Sequence, residues 1–535
     1  MKFTFLHGYL PKLWEAQVKA GLVREQDGIR FCQNIMQKPE WKFNELAKKG
    51  GELYNIVKER NCPFYIDRIQ GGVFIDEYPY DQELIAEYKN LLGDKFWGFQ
   101  MHEWLSNYYH DVVHKLANFQ GEWTKEEIGK YIYETCPYKY LALESMTAEE
   151  VAETGMPKSG EDLYRNMTKV YQKRLKVGEL LPCDSVYLAY GYELSQGATK
   201  IMPEVGAQTF DARIQICYAR GMTRKEGRSF GVYYEPWGGN PFSTCCYNKE
   251  DKNEWGIGES ADFPFVSQGA NGGSSRSLQK RIFLYGYLNN AEFMSEEWGL
   301  ANVFNSWEEF ELSPYGIVKK EFIDFVNKYE DIGEKLTPVA VVLPKDLMVL
   351  DIWGTDDIYL GFKTDDKKLI KMRNDLRTIF ATSLPMQGTE VITLKNSDIP
   401  DGIDILNYDE EMVKKYDYLV DLTGDSELSE KHQNVCKIEE LKEVLRKKLP
   451  CYVEGNAHWL VNERTTGGYY LTVFNHSGVC RSVAEGEYTL KEADTTVELT
   501  VNGIPVLLEG DAKMVEKDGK YYVTIHAGGF AFIRV

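Results

Sequence analysis

Several short apolar runs end in carboxylates, and these residues are the first sign of chemistry. "FYIDR" ends at Asp67, "FQMHEW" carries His102, Glu103 and Trp104, and "IMPEVG" carries Glu204. "VYYEPWGG" carries Glu235 and Trp237, and "FMSEEWG" carries Glu296, Glu297 and Trp298. Glutamates next to flat aromatic side chains suit cleavage of a glycosidic bond. One carboxyl must be held protonated for the leaving oxygen, while a second stays ionised to attack the anomeric carbon or to activate water. Indole rings offer a platform for the apolar face of a sugar. That chemistry needs no metal and no cofactor, and none is expected.

These residues need a scaffold that brings strand ends together. Apolar runs read as strands at "KFTFLHG", "CPFYIDR", "FWGFQMHEW", "VYLAYGY", "KIMPEVG", "SFGVYYEPW", "AEFMSEEW" and "PVAVVLP", with amphipathic helical stretches between them. Eight strands alternating with helices predict an α/β fold, a (β/α)8 TIM barrel over residues 1–344, with catalytic groups at the C-terminal strand ends. Residues 345–455 read as a small open α/β domain of Rossmann-like type. No GxGxxG follows its strands, so no dinucleotide is expected there. Residues 456–535 alternate polar and apolar positions between Gly and Asn turns, as in a C-terminal β-sandwich.

"SEEWG" resembles the strand-seven signature of retaining (β/α)8 glycosidases of clan A, in which the nucleophilic Glu precedes an aromatic residue and Gly. That resemblance implies Glu297 as nucleophile. "WGFQMHEW" is similar to the strand bearing the acid/base in family 42 β-galactosidases and implies Glu103 for that role. The order of barrel, small α/β domain and sandwich is likewise similar to family 42 and to the family 164 β-mannosidases. The resemblance implies an exo-acting retaining hydrolase of terminal β-linked galactosides or mannosides, and a homo-oligomer, a trimer by analogy. The family has Asn where this chain has His102, and the strand count above puts Glu103 on strand three where the family uses strand four. Glu204 is therefore the rival acid/base, followed by Glu235, Glu144 and Glu193. An inverting glycosidase or a phosphorylase on the same barrel, and a non-catalytic carbohydrate-binding protein, are the alternative functions.

Alternation along a strand turns Glu296 away from Glu297, giving it a structural role. Asp67, His102, Trp104, Glu235, Trp237 and Trp298 are candidates for substrate binding, with Asn240 and Arg276 from the Gly-rich insertion between strands. "HDVVH" (His110, Asp111, His114) spaces two imidazoles as a zinc helix does, but it lacks the Glu of that motif and suggests no third ligand.

Composition excludes other classes. A net charge of -20 leaves no basic surface for nucleic acid or anionic membrane. The first residues show no signal peptide or spanning segment. None of the ten cysteines forms a CxxC pair. A cytoplasmic enzyme acting on a small carbohydrate is expected.

Overall fold

The computed structural model describes residues 3–33, 39–67, 78–135, 146–206, 212–236, 274–297, 303–306, 308–380, 394–482 and 486–535. Its largest sheet is built from β1 (Thr4–Tyr9), β2 (Gly28–Phe31), β3 (Phe64–Ile66), β4 (Phe96–His102) and β5 (Leu180–Cys183). It continues with β6, in two pieces (Lys200–Ile201 and Glu204–Gly206), β7 (Ser229–Glu235) and β8 (Phe293–Glu296). Along the sheet the strands run five, four, three, two, one, eight, seven, six. This is the succession of a (β/α)8 barrel. A helix follows each strand: α1 (Leu13–Lys19), α2 (Glu52–Arg60), α3 (Gln82–Leu92), α4 (Gly160–Leu175), α5 (Tyr190–Ser195), α6 (Ala212–Thr223), α7 (Arg276–Leu288) and α8 (Pro314–Lys328). Side-chain caps fix where several of them start. Asp81 accepts from the amides of Glu83 and Leu84 at α3, Ser275 from Leu278 at α7, and Ser313 from Gly316 at α8, where Pro314 takes the first helical position.

The chain divides into two compact units, one of residues 4–204 and 349–365, the other of residues 1–3, 205–348 and 366–535. In the first, β1 to β5 pair in parallel. Strand six joins strand five through Met202 N to Pro182 O (3.0 Å) and Glu204 N to Asp184 O (2.8 Å). Gly98 sits at a register shift in β4 with φ +77°, and a Cβ there would lie 2.2 Å from Glu179 O. Only glycine fits such a bulge, which sets the phase of the residues that follow it.

In the second unit, β7 and β8 pair in parallel. A parallel sheet of β9 (Val339–Leu343), β10 (Ile403–Asn407), β11 (Tyr418–Asp421) and β12 (Val435–Cys436) has the order 10-9-11-12. Two antiparallel sheets follow. One runs Glu334–Lys335, His458–Glu463, Tyr469–Phe474, Phe530–Arg534, Val506–Gly510, and the other runs Tyr452–Glu454, Thr495–Thr500, Lys520–Ile525, Ala512–Lys517. Among the described residues no helix is long and apolar enough to cross a membrane.

Eight barrel strands were expected and eight are found, but two of them differ. "PVAVVLP" supplies β9, an inner strand of the small sheet, and "VYLAYGY" splits into the two-residue strand Tyr187–Leu188 and helix α5. The strands absent from the expected set are "GIRF" (β2) and "LLPC" (β5). Arg30 interrupts the apolar pattern of β2, because a buried arginine looks like a turn residue until its partner is known. In β5 a proline and four residues of length hide the strand. The recount moves Glu103 to the end of strand four, Glu235 to the end of strand seven, and Glu297 to just beyond strand eight.

Candidate active site

In the first unit, Glu103 is the turn residue between β4 and the helical turn Trp104–Tyr109. Its backbone is left-handed, with φ 40°. A residue with a Cβ pays about 1–2 kcal/mol for that conformation, so its surroundings must impose it. They do so from both sides. Glu103 N donates to Cys183 O (2.7 Å), and Glu103 O accepts from Asn107 N (2.9 Å) and Ser106 Oγ (3.1 Å). The side chain is partly exposed, and among the described residues its carboxylate has no hydrogen-bond partner.

Three other candidate acids of this unit are engaged. Glu204, 1% exposed, places Oε1 3.0 Å from His102 Nε2, and His102 is itself 5% exposed. Asp67 accepts from Arg30 Nη1 at 3.1 Å. Trp104 is 2% exposed, packs against Tyr171 and Tyr192, and donates from Nε1 to Glu193 Oε1 at 3.2 Å. The expected sugar platform is thus an interior side chain behind the turn. Glu193 also shares a hydrogen bond with Asp184, the residue after β5. Burial raises both Asp184 and Glu193 above the usual carboxylate range, with Asp184's charge adding to the shift at Glu193. "HDVVH" forms one turn in which buried Asp111 pairs with Lys115 at 2.7 Å.

In the second unit, Glu235 ends β7 and is 3% exposed. Gly206 lies so close that an added Cβ would sit 2.2 Å from Glu235 O and 2.6 Å from Glu235 Cβ. Glu296 ends β8 and is held by Lys319 Nζ and by the Tyr315 hydroxyl (2.7 Å), the structural role expected for it. Glu297 follows, with its amide on Tyr234 O at 2.8 Å. Arg276 opens α7, stacks its guanidinium over the Tyr315 ring at 5.1 Å and donates to Ser274 O. Trp237, Asn240, Trp298 and Glu144 lie outside the described residues.

Sequence reading did not find an ordered chain in the second unit. Arg281 Nη1 lies 2.8 Å from His476 Nδ1, His476 Nε2 lies 2.9 Å from His458 Nδ1, and His458 Nε2 lies 3.1 Å from Asp401 Oδ2. Guanidinium can only donate, so His476 accepts at Nδ1 and carries its proton on Nε2. His458 then accepts at Nδ1 and donates from Nε2 to Asp401. The signal was present as single histidines inside the apolar runs of the C-terminal strands. Donor types that could hold a metal also meet in the first unit: His102, Cys183 and Glu204, all buried, offer atoms within 4.8 Å of one another.

No family model matches this chain, and no curated protein matches it. Among solved structures it is similar to the catalytic module of a family 98 glycoside hydrolase from Streptococcus pneumoniae TIGR4, at 8% identity and TM-score 0.44 over 100% of this chain and 98% of that one. It is also similar to a β-galactosidase from the haloarchaeon Halorubrum lacusprofundi, at 10% identity and TM-score 0.43 over 100% and 99%. A third is an α-amylase from H. orenii, at 9% identity and TM-score 0.31 over 100% and 99%. With TM-scores below 0.5, the barrel assignment stands on the strand order and not on these likenesses.

Proposed function

We infer that this chain is a retaining glycoside hydrolase acting on terminal β-linked hexosides of the galactoside or mannoside type, with Glu103 as acid/base and Glu235 as nucleophile. The observation that carries this reading is the left-handed turn at Glu103, which holds a partly exposed carboxylate at the end of strand four while the neighbouring acids are tied to His102, Arg30 and Trp104. Strain imposed at a strand end is characteristic of a functional position. Glu204 is bound to His102, which favours an orienting role over acid catalysis. The clan A resemblance asks for a Glu ending strand seven; Glu235 ends β7, which favours it over Glu297 as nucleophile.

In this mechanism Glu103 protonates the glycosidic oxygen as Glu235 attacks the anomeric carbon, forming a glycosyl ester and releasing the aglycone. Glu103, now ionised, takes a proton from water. The water oxygen attacks the anomeric carbon and frees Glu235 as carboxylate.

Turnover of 4-nitrophenyl β-galactoside and β-mannoside by wild type and by the Glu103→Ala, Glu235→Ala and Glu297→Ala variants, each with azide, tests the reading. Glu235→Ala should lose activity and regain it as the glycosyl azide of opposite anomeric configuration, and Glu103→Ala should give the azide of retained configuration. If Glu297→Ala gives the opposite-anomer azide and Glu235→Ala does not, the nucleophile lies beyond strand eight. No turnover of either glycoside by wild type would overturn the substrate class.

A further inference from the structure

We propose that His102 Nε2, Cys183 Sγ and a carboxylate oxygen of Glu204 bind one divalent cation of the zinc class. The three residues come from successive strand ends. His102 is the last residue of β4, Cys183 the last of β5, and Glu204 opens the second piece of β6. His102 pairs directly with Cys183 in the sheet register, and Glu204 N is anchored to Asp184 O at 2.8 Å. The ladder itself therefore positions all three side chains, and no loop has to order for the site to form.

The donor set selects the ion. An imidazole, a thiolate and a carboxylate are ligands of zinc and its neighbours in the first transition row, whereas calcium and magnesium take oxygen donors. The spacing is close to what such an ion needs. Bonds of about 2.0–2.3 Å to tetrahedral ligands put donor atoms roughly 3.3–3.8 Å apart. Here the three donors lie within 4.8 Å of one another, and His102 Nε2 and Glu204 Oε1 are 3.0 Å apart. Exposures of 5%, 0% and 1% keep competing water away.

Binding replaces the His102–Glu204 hydrogen bond with two metal–ligand bonds. The Cys183 thiol gives its proton to solvent and binds as thiolate, while His102 binds neutral with its proton on Nδ1. No electron moves. Cobalt binding is read from its absorbance without glycoside turnover, so failure of the metal site and failure of the glycosidase reading are distinguishable.

The test is a cobalt(II) titration of chelator-treated, dialysed full-length protein, because cobalt bound to thiolate absorbs in the near ultraviolet. One cobalt per chain should bind with that band, and zinc should displace it. The band should vanish in Cys183→Ser and remain in Cys451→Ser, which changes a buried cysteine far away in sequence. Glu204→Gln keeps the side-chain volume and should weaken cobalt binding at least tenfold. Should Cys183→Ser fail to fold, the Glu204→Gln titration and a zinc-dependent rise in wild-type Tm, reversed by EDTA, carry the decision. Absence of the thiolate band in wild type, or its persistence in folded Cys183→Ser, overturns the site.

Discussion

Glu204 Oε1 lies 3.0 Å from His102 Nε2, so a carboxylate of strand six holds the imidazole that precedes Glu103. Side chains of alternate strands share layers inside a (β/α)8 barrel, which is how residues 102 positions apart in sequence come to touch. Glu204→Gln keeps the shape but removes the charge that orients the ring. The expected result is a fall of roughly 10- to 100-fold in kcat/KM, with an unchanged fold by circular dichroism. Wild-type kcat/KM in that variant would remove Glu204 from the machinery.

Glu296 ends β8 as half of a buried ion pair with Lys319, which is fully buried. Glu296→Gln removes the charge from one side of that pair. Breaking a buried pair from one side costs about 3–5 kcal/mol, so urea unfolding should show a large loss of stability. An unchanged urea midpoint in Glu296→Gln would contradict this.

Gly206→Ala tests how tightly the end of strand seven is packed. Its new methyl would meet the Glu235 backbone and Cβ at 2.2 and 2.6 Å. Something must move, and the nearest thing to move is Glu235. Activity should drop by at least about 10-fold, since small misplacements of a reacting group are costly. A crystal structure of the variant with Glu235 undisplaced would refute this.

Acid should loosen the second unit before it denatures the whole chain. Burial lowers His458 from 6.5 to about 4, against the opposing pull of Asp401, and it lowers His476 well below its ordinary value as well. Asp401 is held well below the carboxylate range, where Lys335 and His458 outweigh burial. In each case the folded state binds its proton less readily than the unfolded chain does. The stability is therefore complete above pH 6.5 and falls as pH drops, through the His458 value near 4. For His458 alone the loss is about 3 kcal/mol. Urea midpoints measured between pH 7 and 4 should decline in wild type and decline less steeply in His458→Gln.

The sequence showed the kind of scaffold and most of the acids at its strand ends, but not their numbering. Strands with continuous apolar runs, such as "VYYE" and "FMSE", were legible because period and residue type agree. β2 was not, since Arg30 is paired with Asp67, 37 positions away. "PVAVVLP" has an unmistakable strand pattern, but a local pattern does not say which sheet the strand joins. Trp104 looked like a sugar platform because Glu and Trp are neighbours in the text. Its indole faces Tyr171, Tyr192 and Glu193, contacts that only the packing of α4 and α5 creates. The Glu103 turn was equally hidden, because no residue type announces a left-handed glutamate.

The chain from Arg281 through His476 and His458 to Asp401 runs from barrel helix α7 into the C-terminal sheet and back to the segment before β10. Every hydrogen on it points the same way, and the order is imposed by an arginine that cannot accept and a carboxylate that cannot donate. The last eighty residues are therefore not an accessory that can be trimmed from a catalytic core. A chain cut after residue 455 would expose the buried faces of Arg281 and Asp401 with no imidazole between them. In evolutionary terms, the appended sheet and the helix after strand seven can change only together.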